Sequence, residues 1–303
     1  MTTPKSLNID LTRSQILRGD CIEVVKLLPN ASVDAVVTDP PYGYLKHKLD
    51  KDFDEDALFE EFDRVLKPQG AIVMFGRGVP FFRRCLKLDA LGFEFKESLC
   101  WDKVAATSPV ARLMRVHEDA VIFARKGFSV RKRNIPYTEI RTTEIDGLEK
   151  MRRDIVRISS MLNNPDKLKE VLDFLFDGTR FYHGALSCGK EHITVQHGVK
   201  DADRGVKCAI TMLNGVVERS LIRVHRDAHA EHGTQKPVRL MERLVSIVSD
   251  EGAVVLDPFA GSGSTVVACE QTGRIGIGIE IDPGYTEIAE RRLKDAQEKG
   301  ACR

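Results

Sequence analysis

Two stretches of this chain follow the same pattern. VDAVVTDPPYG (33–43) and AVVLDPFAGSGST (253–265) each pass from a short apolar run into an aspartate, a proline and a tight turn. An apolar run of this kind bounded by turn residues reads as a strand buried on both faces, as in a parallel sheet covered by helices. Proline gives up a backbone donor and pushes the residue before it into extended geometry. Asp39-Pro40-Pro41-Tyr42 is therefore a stiff hook at a strand end, with one carboxylate, carbonyls free of a competing local N–H, and one aromatic face. Such a hook can grip something flat and polar.

The rest of the chain alternates strand and helix on both sides of a long interruption. Before it, strands are expected at 15–18, 33–38 and 71–75, with helices at 21–28 and 54–66. A strand pair at 93–101 and 119–124 is expected near the sheet edge. After it, Leu240, Met241, Leu244, Val245 and Val248 form a helical apolar stripe, with Pro237 in the first turn and Thr234 as its cap. Strands follow at 253–256 and 275–281, with helices at 264–272 and 285–294. The stretch 128–225 is more polar, has a helical segment near 144–176, and lacks the alternation. The expected architecture is an α/β, doubly wound, mostly parallel Rossmann-like sheet with an inserted domain. The divisions fall at 1–127, 128–225 and 226–303. Ligands of such sheets bind outside the carboxyl ends of the strands, where both aspartate turns lie.

The 303 residues suffice for one large domain with an insert. No apolar run is long enough to span a bilayer, and MTTPKSLNID lacks the core of a signal peptide, so cytoplasmic residence is expected. Seven cysteines, at 21, 85, 100, 188, 208, 269 and 302, form no pair spaced for zinc; reduced thiols and no metal are expected. A net charge of +1 announces no nucleic acid, but basic residues crowd locally. Lys46 and Lys48 fall in one cluster, and Arg125, Arg131, Lys132 and Arg133 in another. A charge run is more often a solvated face than a phosphate track.

In the second aspartate turn, Gly261 and Gly263 permit positive φ and close approach of a ligand. Glu280 follows about 20 residues later at a strand end, as an acid reading ribose hydroxyls does. Val266 stands where a third glycine of a dinucleotide motif belongs, which weighs against a dinucleotide and fits an adenosyl ligand without a pyrophosphate better. The turn by itself is as readily a structural glycine turn.

Together, GDC (19–21), DPPYG (39–43), HGTQKP (232–237), DPFAGSGST (257–265) and GIEIDPGY (278–285) resemble the DNA amino-methyltransferases. That family transfers methyl from S-adenosyl-L-methionine to adenine N6 or cytosine N4. The resemblance covers about 15–125 and 229–295. DPPY ahead of the glycine turn resembles the permuted β group, with the target-recognition domain between the two halves. The resemblance implies that Asp39 and the Pro40 carbonyl accept from the target amino group, that Pro41 stiffens the hook, and that Tyr42 stacks on a flipped base. It implies a cofactor site of Asp20, Cys21, Asp39, His232, Thr234, Lys236, Asp257, Phe259, Ala260, Gly261, Ser262, Gly263, Thr265 and Glu280. Gly233 stands where the family commonly has proline, which loosens that loop. Double-stranded DNA is the implied partner, which turns the basic run at the insert toward phosphate contact. A homodimer is implied by the resemblance alone, and any restriction endonuclease partner is a separate chain.

The aspartate of DPPY leans toward adenine, since cytosine-N4 enzymes more often resemble SPPY. Protein-glutamine and RNA methyltransferases resemble NPPY placed after the glycine turn. A catalytically silent DNA-binding module is the alternative from another class; the intact Asp39, Tyr42 and glycine turn argue against it.

Overall fold

The structure is a computed structural model and describes residues 9–42, 53–104, 116–144, 146–162, 208–209, 211–227 and 235–301. The chain forms two compact units, one of residues 1–133 and 219–303, the other of 134–218.

The first unit is built on an eight-stranded sheet. Its strands are β1 (Gln15–Arg18), β2 (Val33–Thr38), β3 (Leu66–Gly76), β4 (Glu94–Asp102), β5 (His117–Ala124), β8 (Leu221–Arg223), β9 (Val254–Asp257) and β10 (Ile275–Glu280). The spatial order is β1-β10-β9-β2-β3-β5-β4-β8. All neighbours are parallel except β5, which runs against both β3 and β4. The helices are α1 (Cys21–Val25), α2 (Glu55–Val65), α3 (Gly78–Ala90), α6 (Val238–Val248), α7 (Ser264–Gln271) and α8 (Pro283–Ala301).

Alternation along single strands shows how the sheet is covered. Val36, Ile72 and Met74 enter a core with Leu58, Phe59 and Phe62 of α2 and Phe81 and Leu88 of α3. Ala35, Val37, Val73 and Phe75 enter a second core with Leu240, Met241, Leu244 and Val245 of α6. Successive strand side chains point to opposite faces, so both faces are buried by helices, as the apolar runs predict. The fold is α/β with a mostly parallel central sheet.

The boundaries depart from the sequence reading in physically informative ways. β3 begins at Leu66, five residues before the apolar run, because Leu66 pairs with Val33 before a register shift. The final helix begins at Pro283, where the missing N–H is tolerated, and extends to Ala301. Pro237 caps α6 with extended backbone and does not sit in its first turn. Phe128 packs in the second core, and the Arg131 N–H donates to the Ile247 carbonyl at 2.8 Å. β8 pairs with β4. Residues 128–133 and 219–225, expected in the insert, thus belong to the sheet-bearing unit.

In the second unit, β6 (Asn134–Ile135) pairs antiparallel with β7 (Val216–Val217). It also holds α4 (Tyr137–Thr143) and α5 (Gly147–Leu162). Buried Asp154 ties the two helices by accepting from the Tyr137 hydroxyl at 2.7 Å and from Arg141 at 2.9 Å. The rest of the expected helical segment to 176 lies outside the described residues.

Candidate active site

The chain passes from β2 to β3 toward one sheet edge and from β9 to β10 toward the other. The order therefore reverses between β9 and β2, where doubly wound sheets hold ligands. Both aspartate turns leave the carboxyl ends of these two adjacent strands. Glu280 ends β10 next to them, and Asp20 and Cys21 follow β1 one strand further out.

The glycine turn has the shape its sequence requires. Gly261 has φ +52° and Gly263 φ +80°, both in the left-handed region. A Cβ at Gly261 meets nothing within 4 Å, so the turn leaves open space above that backbone. A Cβ at Gly263 would lie 2.9 Å from that of Ala289, so α8 packs where only glycine fits. Asp257 is fully enclosed and accepts from the Thr265 hydroxyl at 2.5 Å and the Phe259 N–H at 3.1 Å. Burial pushes its carboxyl up to about 6, against the pull of these hydrogen bonds. Asp257 and Thr265 brace the turn from below, and buried Ala260 and Ser262 complete it.

Each oxygen of Glu280 accepts one backbone N–H, from Gly261 at 2.9 Å and Asp282 at 2.8 Å. Burial raises its carboxyl above the ordinary value. Each oxygen keeps a second lone pair, so the acid suits a pair of ribose hydroxyls. Asp20 caps α1, accepting from Ile22 at 3.0 Å and Glu23 at 3.2 Å. The Cys21 thiol is buried and held protonated by desolvation. An open glycine turn flanked by a carboxylate with acceptor capacity to spare fits an adenosyl cofactor.

The hook is gripped from three sides. The Tyr42 hydroxyl donates to Asp39 Oδ1 at 2.8 Å. Buried Lys236 forms an ion pair with Asp39 Oδ2, 197 residues away in sequence. Arg84 of α3 donates to the Pro41 carbonyl at 2.6 Å and is anchored by Glu55 at 2.7 Å. Lys236 also pairs with Glu118 at 3.1 Å and lies over the Phe75 ring, 4.9 Å from its centroid. Burial pulls the Lys236 ammonium down, but Asp39 and Glu118 more than reverse this and hold it above the ordinary lysine value. Glu118 accepts from buried Lys103 at 3.0 Å.

The sequence reading sent Lys236 toward the cofactor; here its ammonium lies on Asp39. The reading missed Glu118, Lys103 and Arg84. Glu118 stands in HEDAVIFA, and an acid at the head of a buried strand is the signal that could have found it.

The basic run is placed elsewhere. Asp119 pairs with Gly76 at the carboxyl end of β3, near Asp39, and Ala124 pairs with Ala71 five residues back, so β5 runs away from the hook and ends far from Asp39. Arg125 pairs there with Asp63 at 2.8 Å and lies over Phe93. Arg131 pairs with Asp250 at 3.1 Å, and Arg133 donates to the Glu242 carbonyl. The structure does not bring these arginines, or Lys132 between them, to the hook. Lys46, Lys48, His232 and Thr234 lie outside the described residues.

A family model described as DNA methylase, of the N6/N4 methyltransferases, matches residues 33–291. The chain belongs to this family. It is thus a DNA methyltransferase of the S-adenosyl-L-methionine-dependent amino-methyltransferase type. The type II methyltransferase M.HinfI of Haemophilus influenzae is 27% identical over 316 residues, spanning 95% of this chain and 70% of that protein. The type II methyltransferase M.HpaI of Haemophilus parainfluenzae is 25% identical over 295 residues, spanning 92% and 74%. Among solved structures, the M1.HpyAVI–SAM complex superposes with a TM-score of 0.55 at 20% identity, covering 92% of this chain and 99% of that one. The cytosine-N4-specific PvuII DNA methyltransferase gives 0.56 at 15% identity, covering 95% and 92%. The shared fold therefore does not separate an N6 from an N4 enzyme. No helix among the described residues is long and apolar enough to cross a membrane.

Proposed function

We propose that this N6/N4 family member is a site-specific DNA methyltransferase that modifies adenine N6 of a base flipped out of double-stranded DNA. The observation that carries the reading is the position of Asp39, fixed by Lys236 and Tyr42 at the switch point beside the open glycine turn. Gly261, Gly263, Phe259, Asp20 and Glu280 would hold S-adenosyl-L-methionine, whose sulfonium supplies the electrophilic methyl.

An aromatic amino group is a poor nucleophile because its lone pair is delocalised into the ring. Asp39 and the Pro40 carbonyl accept its two N–H bonds and bias the nitrogen toward pyramidal geometry. The chain's contribution is then positioning and fixed electrostatics. Lys236 holds Oδ2, so Oδ1 is the oxygen offered to the target, and the Tyr42 hydroxyl occupies it meanwhile. Base entry exchanges that hydrogen bond for one from the target amino group and frees the Tyr42 ring to stack. Arg84 keeps the hook in place through Pro41.

The aspartate heading DPPY supports adenine. Cytosine N4 is the second reading, because the matched family spans both N6 and N4 enzymes. The unit at 134–218 reads the DNA sequence in this proposal, because the flanking halves already supply the hook and the glycine turn. DPPY ahead of the glycine turn supports the permuted arrangement. Methylation-aware sequencing of DNA from a host expressing the protein reports base and site together. N6-methyladenine in one recurring sequence is expected; N4-methylcytosine there transfers the assignment to cytosine.

A further inference from the structure

Behind the hook lies a row of charges, two of them buried, that no single sequence motif contains. Asp39, Lys236, Glu118 and Lys103 alternate in sign, with Lys236 and Lys103 almost fully enclosed. They come from the end of β2, the segment before α6, the start of β5 and the residue after β4. Arg226 stands at the outer end, 3.9 Å from Glu118. The four inner charges sum to zero, so the row is neutral as a unit.

We infer that Glu118 is a positioning residue for the methyl-transfer reaction, acting on Asp39 through Lys236. The inference rests on the function proposed above. A lysine stem is flexible, and its ammonium is a point charge with three donors. On Asp39 alone it could take many positions. Here the ammonium is held at three points: Asp39 Oδ2, Glu118 Oε2 and the face of Phe75. Lys103 in turn holds the other oxygen of Glu118. The Asp39 carboxylate is thereby set in one rotation, with Oδ1 directed to the target. Glu118 also shares the ammonium, so Asp39 is not fully neutralised and remains a strong acceptor. Small misplacements of a reacting group cost large factors in rate.

The test uses the full chain. Glu118→Met removes the acceptor at similar volume. It should lower kcat by at least about tenfold while cofactor and DNA affinity stay near wild type. Glu118→Met leaves two buried cations against one anion and is expected to destabilise the protein; Lys103→Met/Glu118→Met restores neutrality. The double variant should regain thermal stability without regaining kcat, and it carries the test if the single variant does not fold. In a Lys236→Met background, Glu118→Met should cost nothing further. NMR of the lysine ammonium groups in the cofactor-free protein gives a readout apart from turnover. The Lys236 signal, assigned by its loss in Lys236→Met, should shift and exchange faster in the Glu118 variants. The inference is overturned by wild-type kcat in the variants, by recovery of rate together with stability, by an equal loss in both backgrounds, or by an unchanged ammonium signal. A wild-type protein that methylates no DNA would instead sink the function on which the inference rests.

Discussion

Asp39 is held by two partners of different kinds. Lys236 is a buried cation that the fold fixes, whereas Tyr42 is a neighbour in the same turn that can leave. The two oxygens are therefore not equivalent. Asp39→Ala removes the acceptor but leaves the glycine turn and Glu280 intact. Methyl transfer should fall by at least about a hundredfold, the scale of losing one preorganised electrostatic contact. Calorimetry should still show the cofactor binding. Tyr42→Phe keeps the ring and loses only the hydroxyl, so its turnover should stay well above that of Tyr42→Ala. Tyr42→Ala should weaken the grip on the extruded base by about 1–3 kcal/mol, the usual worth of base–aromatic stacking. A 2-aminopurine probe at the target position would read this as lost fluorescence. Equal turnover in the two Tyr42 variants would remove stacking from the mechanism.

Among the elements, the glycine turn shows most directly how packing constrains a site. Gly261 and Gly263 both have positive φ, but their surroundings differ. Gly261 opens to empty space, while Gly263 backs onto Ala289 of α8. An added methyl at Gly263 meets both left-handed strain and a packed helix. Gly263→Ala should therefore lower stability by about 1–3 kcal/mol, read as a lower midpoint in urea. At Gly261 the same methyl meets only the backbone strain, and its larger effect should fall on cofactor affinity. If the two variants unfold at the same midpoint, α8 is not what confines the turn.

At the scale of the whole molecule, Asp257 links stability to pH. Its buried carboxyl titrates at about 6 in the folded chain, against 3.8 for an ordinary aspartate. A folded value raised above the unfolded one means that ionisation opposes folding. The stability is full below about pH 4 and is lost as pH rises to about 6, after which the cost is constant. The shift corresponds to about 3 kcal/mol. Asp257→Asn keeps an acceptor for the Phe259 N–H and cannot ionise. Relative to this variant, the wild type should lose stability between pH 4 and 6 and run parallel to it above. Urea unfolding of both proteins, free of cofactor, checks this; parallel curves across the whole range would show that Asp257 is ionised without penalty.

Much of this was legible in the linear chain because it is local. Apolar runs forecast buried strands, a turn that needs positive φ calls for glycine, and two prolines after an aspartate stiffen a hook whatever surrounds it. Strand ends therefore located Asp39, Glu280 and the glycine turn. What lies across the sheet was not legible. Asp39 and Glu118 share Lys236 only because β2, β3 and β5 are consecutive in space and α6 packs against them, an arrangement that no periodicity encodes. The same holds for Arg125, Arg131 and Arg133. The sequence does not show that the antiparallel run of β5 carries these arginines away from the hook, where they meet Asp63, Asp250 and the carbonyl of Glu242. Residue chemistry is a property of the sequence, but which charges face one another is set by strand order and direction, and those are fixed only when the two cores close.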